Sequence, residues 1–246
     1  MSYIKADGIV IKEVNTGEAD RIVTILTKNR GKISAFAKNS RLPRSNLVAG
    51  TQIMCYSNFV LFKGRDMYTI SSCDVLEPFY GLRCDVVKLT YSAHLLELVN
   101  DVIQEEQPAV KTLQLLLNTL HFIDKTDRSC ELFTRIFELR FLSILGYAPY
   151  VSSCINCGSL EIDKMSFSFK KCGFLCSSCA MEDVNAQPLS VGAAKAIYYI
   201  VHSNIKELFN FEVSENVLEE LSRVNKRFIK DRLDKDYKKL DFLKSL

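Results

Sequence analysis

The sequence has no long apolar stretch. The uncharged run Ser45 to Phe62 is broken by Asn46, Gly50, Thr51, Gln52, Ser57 and Asn58, so it falls short of the ~20 mostly apolar residues a spanning helix needs. Lys5 and Asp7 follow the first residues with no apolar core behind them, so no secretory signal is expected and the chain is read as cytoplasmic. There are only three histidines, His94, His121 and His202. None opens a His-x-Glu pair, which removes the signature of a zinc deaminase. A Gly-rich phosphate loop ending in Gly-Lys-Ser/Thr is also missing, so nucleotide hydrolysis has no support.

The most informative absence is of acidic residues. Between Arg21 and Arg65 there is no Asp or Glu, while nine cations fall in that span: Arg21, Lys28, Arg30, Lys32, Lys38, Arg41, Arg44, Lys63 and Arg65. With 32 basic and 29 acidic residues in all, the rest of the chain carries 23 against 29, or −6. Ordinary surfaces intersperse the two signs. A +9 block of this kind is the electrostatic footprint of a track for a phosphate backbone. Phe36, Tyr56, Phe59, Phe62 and Tyr68 lie among the same cations, where some can fill a core and others can stack on unpaired bases.

The first eighty residues read as β structure. Short runs rich in Ile, Val, Phe, Tyr and Thr at Gly8–Val14, Ile22–Leu26, Ile33–Ala37, Ile53–Phe62 and Tyr68–Leu76 are parted by turn residues at Asn15-Thr-Gly17, Asn29-Arg-Gly31 and Lys63-Gly64-Arg65. Five short strands suit a small closed barrel of the oligonucleotide-binding (OB) type. Past Pro78 the apolar period lengthens: Val86, Leu89, Ala93, Leu96 and Ile103, then Val110, Leu113, Leu117 and Leu120, then Leu132, Ile136, Leu139 and Leu142 within Ser129–Leu145. Ser190 and Ser214 are expected to cap two further helices, and the charged stretch from Asn225 onward reads as a solvated helix face and tail.

Cysteines interrupt this helical pattern. Cys154-Ile-Asn-Cys157 and Cys176-Ser-Ser-Cys179 are two C-x2-C knuckles with 18 residues between them, within the spacing of a zinc site. Each knuckle can aim two sulfurs at one ion, and two knuckles complete a tetrahedron of thiolates with no position left open for substrate. One structural zinc ion held by Cys154, Cys157, Cys176 and Cys179 is therefore expected, in a small ribbon that includes a strand near Met165–Phe169. Cys172 and the other four cysteines are read as non-ligands. The fold expectation is thus α+β and multi-domain: an OB-type barrel over residues 1–80, then a helical domain over 81–246 with a zinc ribbon inserted at about 150–185.

Together these segments resemble the RecO family of bacterial recombination mediators. Four pieces carry the resemblance: Ala19-Asp-Arg-Ile-Val-Thr-Ile-Leu-Thr27 with Gly31-Lys-Ile-Ser34; the basic loop Ala37-Lys38 through Arg44-Ser45; Phe137-Glu-Leu-Arg140 with Leu145-Gly-Tyr-Ala-Pro149; and the cysteine pairs. The sequence departs from the family pattern at Asn39, where glycine is usual, and at Cys172-Gly173, where two glycines are. The resemblance implies a non-enzymatic protein, nucleoid-associated in bacteria, that binds single-stranded and duplex DNA and anneals complementary strands. It implies docking to RecR and to the C-terminal tail of single-stranded DNA-binding protein, so that RecA is loaded at gaps, and a monomer when alone. Arg128, Arg135 and Arg140 on the third helix are candidates for that acidic tail. The alternative reading is a zinc-ribbon RNA-binding or transcription-associated protein, with a zinc hydrolase or nuclease as a more distant one.

Overall fold

The computed structural model describes residues 3–65, 67–161 and 164–245. Five strands, β1 (Tyr3–Thr16), β2 (Asp20–Thr27), β3 (Gly31–Ala37), β4 (Tyr56–Lys63) and β5 (Tyr68–Glu77), close into a barrel in the order β1-β2-β3-β5-β4. All pairs are antiparallel except the short β3–β5 contact at Ala35–Tyr68 and Phe36–Thr69. β1 is longer than its apolar run suggests because it serves two neighbours. Its first half pairs with β4 and its second with β2, and a bulge between Val10 and Lys12 lets it bend from one to the other.

Alternation along the strands fills the barrel. Val10, Val23, Ile25, Ile33, Ala35, Phe59, Leu61 and Ile70 point inward, and Leu47 from the long β3–β4 loop plugs one end. The outer wall is not all solvated, since Ile9 and Leu26 are as buried as the barrel core. Helices cover that side: α1 (Tyr80–Cys84), α2 (Val86–Val102) and α3 (Val110–Lys125), with α2 packed on β1 and α3 on β2. Asp85 caps α2 by accepting from the N–H groups of Val87 and Lys88.

The chain divides into two compact units at Asp127, so α1–α3 group with the barrel, and the second unit runs from Arg128 to Phe242. In the second unit α4 (Cys130–Leu142) ends in one π-helical turn at Ser143–Tyr147. The hairpin β6 (Met165–Ser168) and β7 (Gly173–Cys176) follows, with β8 (Gln187–Pro188) on its edge and the short α5 (Ser177–Ala180) after it. Then come α6 (Val191–His202) and α7 (Glu215–Leu233), and a 3-10 stretch over Lys239–Ser245 follows. Ser190 caps α6 through the N–H of Ala193, while Ser214 stands at the start of α7. Among the described residues no helix is long and apolar enough to cross a membrane.

Candidate nucleic-acid interface and metal centre

Strand direction divides the nine predicted cations between the two ends of the barrel. One end carries the β1–β2 turn and the β3–β4 loop, with Arg21, Lys38, Arg41 and Arg44. The other carries the β2–β3 and β4–β5 turns, with Lys28, Arg30, Lys32, Lys63 and Arg65.

At the first end the loop from Lys38 to Cys55 folds back onto the strands. The Asn39 N–H donates to Asp20 Oδ1 at 2.6 Å and the Arg41 N–H to Ala19 O at 2.9 Å. Arg21 is part of this scaffold. Its guanidinium donates to Ser40 O and Thr51 Oγ1 and lies 3.9 Å from Glu13, with the side chain 16% exposed. Lys38, Arg41 and Arg44 are exposed, and the Arg41 guanidinium donates to the neutral carbonyl of Glu18 at 3.1 Å. Three cations are thus displayed on a loop anchored at its root. Asn39, where glycine is usual in the resembling family, has φ 55°, a conformation that asparagine tolerates better than most residues.

The second end is covered by the linker between α2 and α3. Lys32 N–H donates to Gln104 O, Glu106 N–H to Lys32 O and Ala109 N–H to Lys28 O. Gly31 makes this approach feasible: its φ is 55°, and a Cβ there would sit 2.1 Å from Gln107 O. Lys32 Nζ donates to Asn100 O at 2.6 Å. Glu106 accepts from Tyr68 Oη at 2.7 Å and lies 3.3 Å from Arg30. The Tyr68 hydroxyl, with burial opposing and the Lys63 and Arg30 charges assisting, holds the Glu106 carboxyl below its usual range. Lys28, Lys63 and Arg65 are exposed at this end, and Lys63 and Arg65 lie beside the carboxylates of Glu105 and Glu106. Those two glutamates were not singled out from the sequence, since they lie some forty to seventy-six residues from the cations they meet. The five aromatics separate as well: Phe59 and Tyr68 are core residues, whereas Phe36, Tyr56 and Phe62 are half-buried.

The four predicted ligand cysteines converge. The sulfurs of Cys154, Cys157, Cys176 and Cys179 all lie within 4.8 Å of one another, and Cys157 Sγ is 3.6 Å from Cys176 Sγ. A tetrahedron with metal–sulfur bonds of ~2.3 Å has edges of ~3.8 Å. Gly158 closes the first knuckle at φ 77°, donating its N–H to Cys154 O. Burial alone would raise the Cys154 thiol, but backbone N–H groups of Cys176, Cys157 and Asn156 outweigh it and bring the thiol down to about 6. At Cys157 the Ser159 N–H pulls the other way from the neighbouring sulfurs, and these win, pushing the thiol up to about 12. Sulfurs this close cannot all ionise by themselves. A cation among them removes the conflict, so the donor set fits a metal. Cys172, at φ 56° in the β6–β7 turn, is outside this group.

Arg128, Arg135 and Arg140 are all bound within the second unit. Arg128 donates to Phe209 O and Phe211 O and pairs with Glu212. Arg135 lies buried against Glu138 at 2.7 Å. Arg140 caps the end of α6 on the carbonyls of Ile200, Val201 and Ser203, and burial lowers its pKa. Periodicity identifies α4 correctly but cannot show that its arginines face inward.

A closed β1-β2-β3-β5-β4 barrel with a cationic loop, joined to helices carrying a four-cysteine ribbon, defines an OB-type barrel protein with a candidate metal centre. Family models agree in detail: residues 1–79 match recombination protein O N terminal, and residues 83–241 match recombination protein O C terminal. The chain is 62% identical to the DNA repair protein RecO of Acetivibrio thermocellus over 246 residues, 100% of this chain and 98% of the relative. It is 38% identical to that of Caldicellulosiruptor saccharolyticus and 36% to that of Alkaliphilus metalliredigens, each over 99% of both chains. The chain belongs to the RecO family of DNA repair proteins.

Proposed function

We propose that this chain is a non-catalytic mediator of recombinational repair that binds single-stranded and duplex DNA and anneals complementary strands. The observation that carries the reading is the display of Lys38, Arg41 and Arg44 on one exposed loop, rooted on the barrel through Asp20 and Ala19. Cations of this kind neutralise phosphates, and screening the repulsion between two backbones favours their pairing. In the same reading the ribbon holds one zinc ion. Four thiolates would close its coordination sphere, so the ion stiffens the ribbon and leaves no place for an activated water. The protein acts as a monomer until it meets RecR and the acidic tail of single-stranded DNA-binding protein, and it assists RecA loading in the cytoplasm. Arg128, Arg135 and Arg140 are engaged internally, so that tail is expected on other residues.

A salt titration of binding to an unlabelled-sequence single strand tests the loop. The logarithm of affinity falls against log salt with a slope of about −0.7 per neutralised phosphate. The variant carrying Arg41→Glu and Arg44→Glu should flatten that slope by roughly 1.4. An unchanged slope would remove the loop from the interface.

A further inference from the structure

We propose that the ribbon-bearing unit carries a second track for unpaired polynucleotide, built on Tyr150, Tyr198 and His202 with lysines at both ends. It extends the DNA-binding reading to a separate surface and can fail without it.

The inward face of α6 is set by Ala193, Ala194, Ala196, Ile197 and Ile200. Lys195, Tyr198 and His202 fall three and four residues apart on the opposite face, which makes one stripe. Tyr198 is 44% exposed and its ring centroid lies 4.5 Å from that of His202. His202 Nε2 meets Ser152 Oγ at 3.3 Å, which brings the segment after α4 alongside the stripe. There Tyr150 is 48% exposed, with its hydroxyl 3.1 Å from Ser153 Oγ.

The support under Tyr150 is rigid. Its N–H donates to Cys172 O and its carbonyl accepts from the Phe174 N–H, both at 2.9 Å, so it is stitched to the β6–β7 hairpin. A Cβ at Gly173 would lie 2.4 Å from Tyr150 O, which shows how closely the two segments run. The hairpin turn presents Lys170 and Lys171, both exposed, and Lys171 Nζ donates to the Asn156 side-chain carbonyl at 2.7 Å.

The path runs from Lys170 through Tyr150, Ser152, His202 and Tyr198 to Lys195; the Asp183 carboxylate feels the charge of Lys170, and Glu212 lines a pocket with Lys195. Large rings left in water on fixed supports, with cations at either end, fit a ligand that has both π-faces and phosphates. An intact duplex keeps its bases stacked away from such rings. A single strand offers them, and every base has a face to stack.

Photocrosslinking of the full-length, metal-replete protein to a single-stranded oligonucleotide containing 5-iodouracil, with the adducts mapped by mass spectrometry, tests the track. Adducts at Tyr150, Tyr198 or His202 are expected beside those on the barrel. Tyr150→Ala and Tyr198→Ala should each weaken single-strand binding about fivefold or more, with duplex binding changed much less. Tyr→Phe at either position keeps the ring and should restore affinity, which a role for the hydroxyl bonds would not allow. Adducts confined to the barrel, with alanine variants binding like the parent, would overturn the track and leave the barrel reading standing. Failure to bind the oligonucleotide at all would overturn both.

Discussion

Tyr68 reaches out of the barrel core to donate its hydroxyl to Glu106 at 2.7 Å, and this bond ties the strand wall to the linker between α2 and α3. Tyr68→Phe should cost about 1–2 kcal/mol with the fold intact, read from denaturant melts. The bond also sets a pH window. Glu106 has a lowered folded pKa, so its contribution is complete above the ordinary carboxylate range and is lost as pH falls through the lowered value. Burial and the bond to Glu106 raise the Tyr68 hydroxyl, so its contribution is present below the ordinary tyrosine value near ~10 and is lost above it. Tyr68→Phe should flatten the stability profile at both edges.

Arg21 and Arg41 are close in sequence and opposite in role. Arg21→Ala leaves Ser40 O and Thr51 Oγ1 without their donor and should cost about 1–3 kcal/mol of stability. Arg41→Ala should leave melting nearly unchanged and weaken DNA binding. Paired melts and binding titrations check the contrast, and equal effects of the two on affinity would contradict it.

Arg140→Ala strips the donor from the last carbonyls of α6. A loss of roughly 2–3 kcal/mol is expected. That corresponds to about 5–10 °C in melting temperature for a protein of this size. Arg140→Lys should recover only part, because an ammonium cannot fork across three carbonyls.

Elemental analysis of the purified protein should return one zinc per chain. Cys176→Ser should lose it and open the region around residues 150–185 to protease, since structural zinc contributes roughly 10–16 kcal/mol to folding in small zinc peptides. Chelation should reproduce the effect, more readily as pH falls and the thiols reprotonate.

The sequence shows the elements more clearly than their burial. Alternation and turn residues locate all five strands, and paired knuckles locate the four sulfurs, because both signals are local. The length of β1 is missed because its bulge shares one strand between two partners, which no single alternation pattern reports. Charge density finds the cations but not their separation: Arg21, Arg30 and Lys32 meet partners such as Thr51, Glu106 and Asn100 that lie far along the chain. The same blindness applies to Arg128, Arg135 and Arg140, whose acceptors come from α6, the segment before α7 and α4 itself.

The apolar outer wall of β1 and β2 has a practical consequence. Ile9, Ile11 and Leu26 are nearly fully shielded, under helices that begin at Tyr80. A fragment severed at residue 80 would hand water a greasy flank, and it should clump rather than serve as a minimal binding module. A cut after Asp127 keeps that flank clothed and gives the better piece to express.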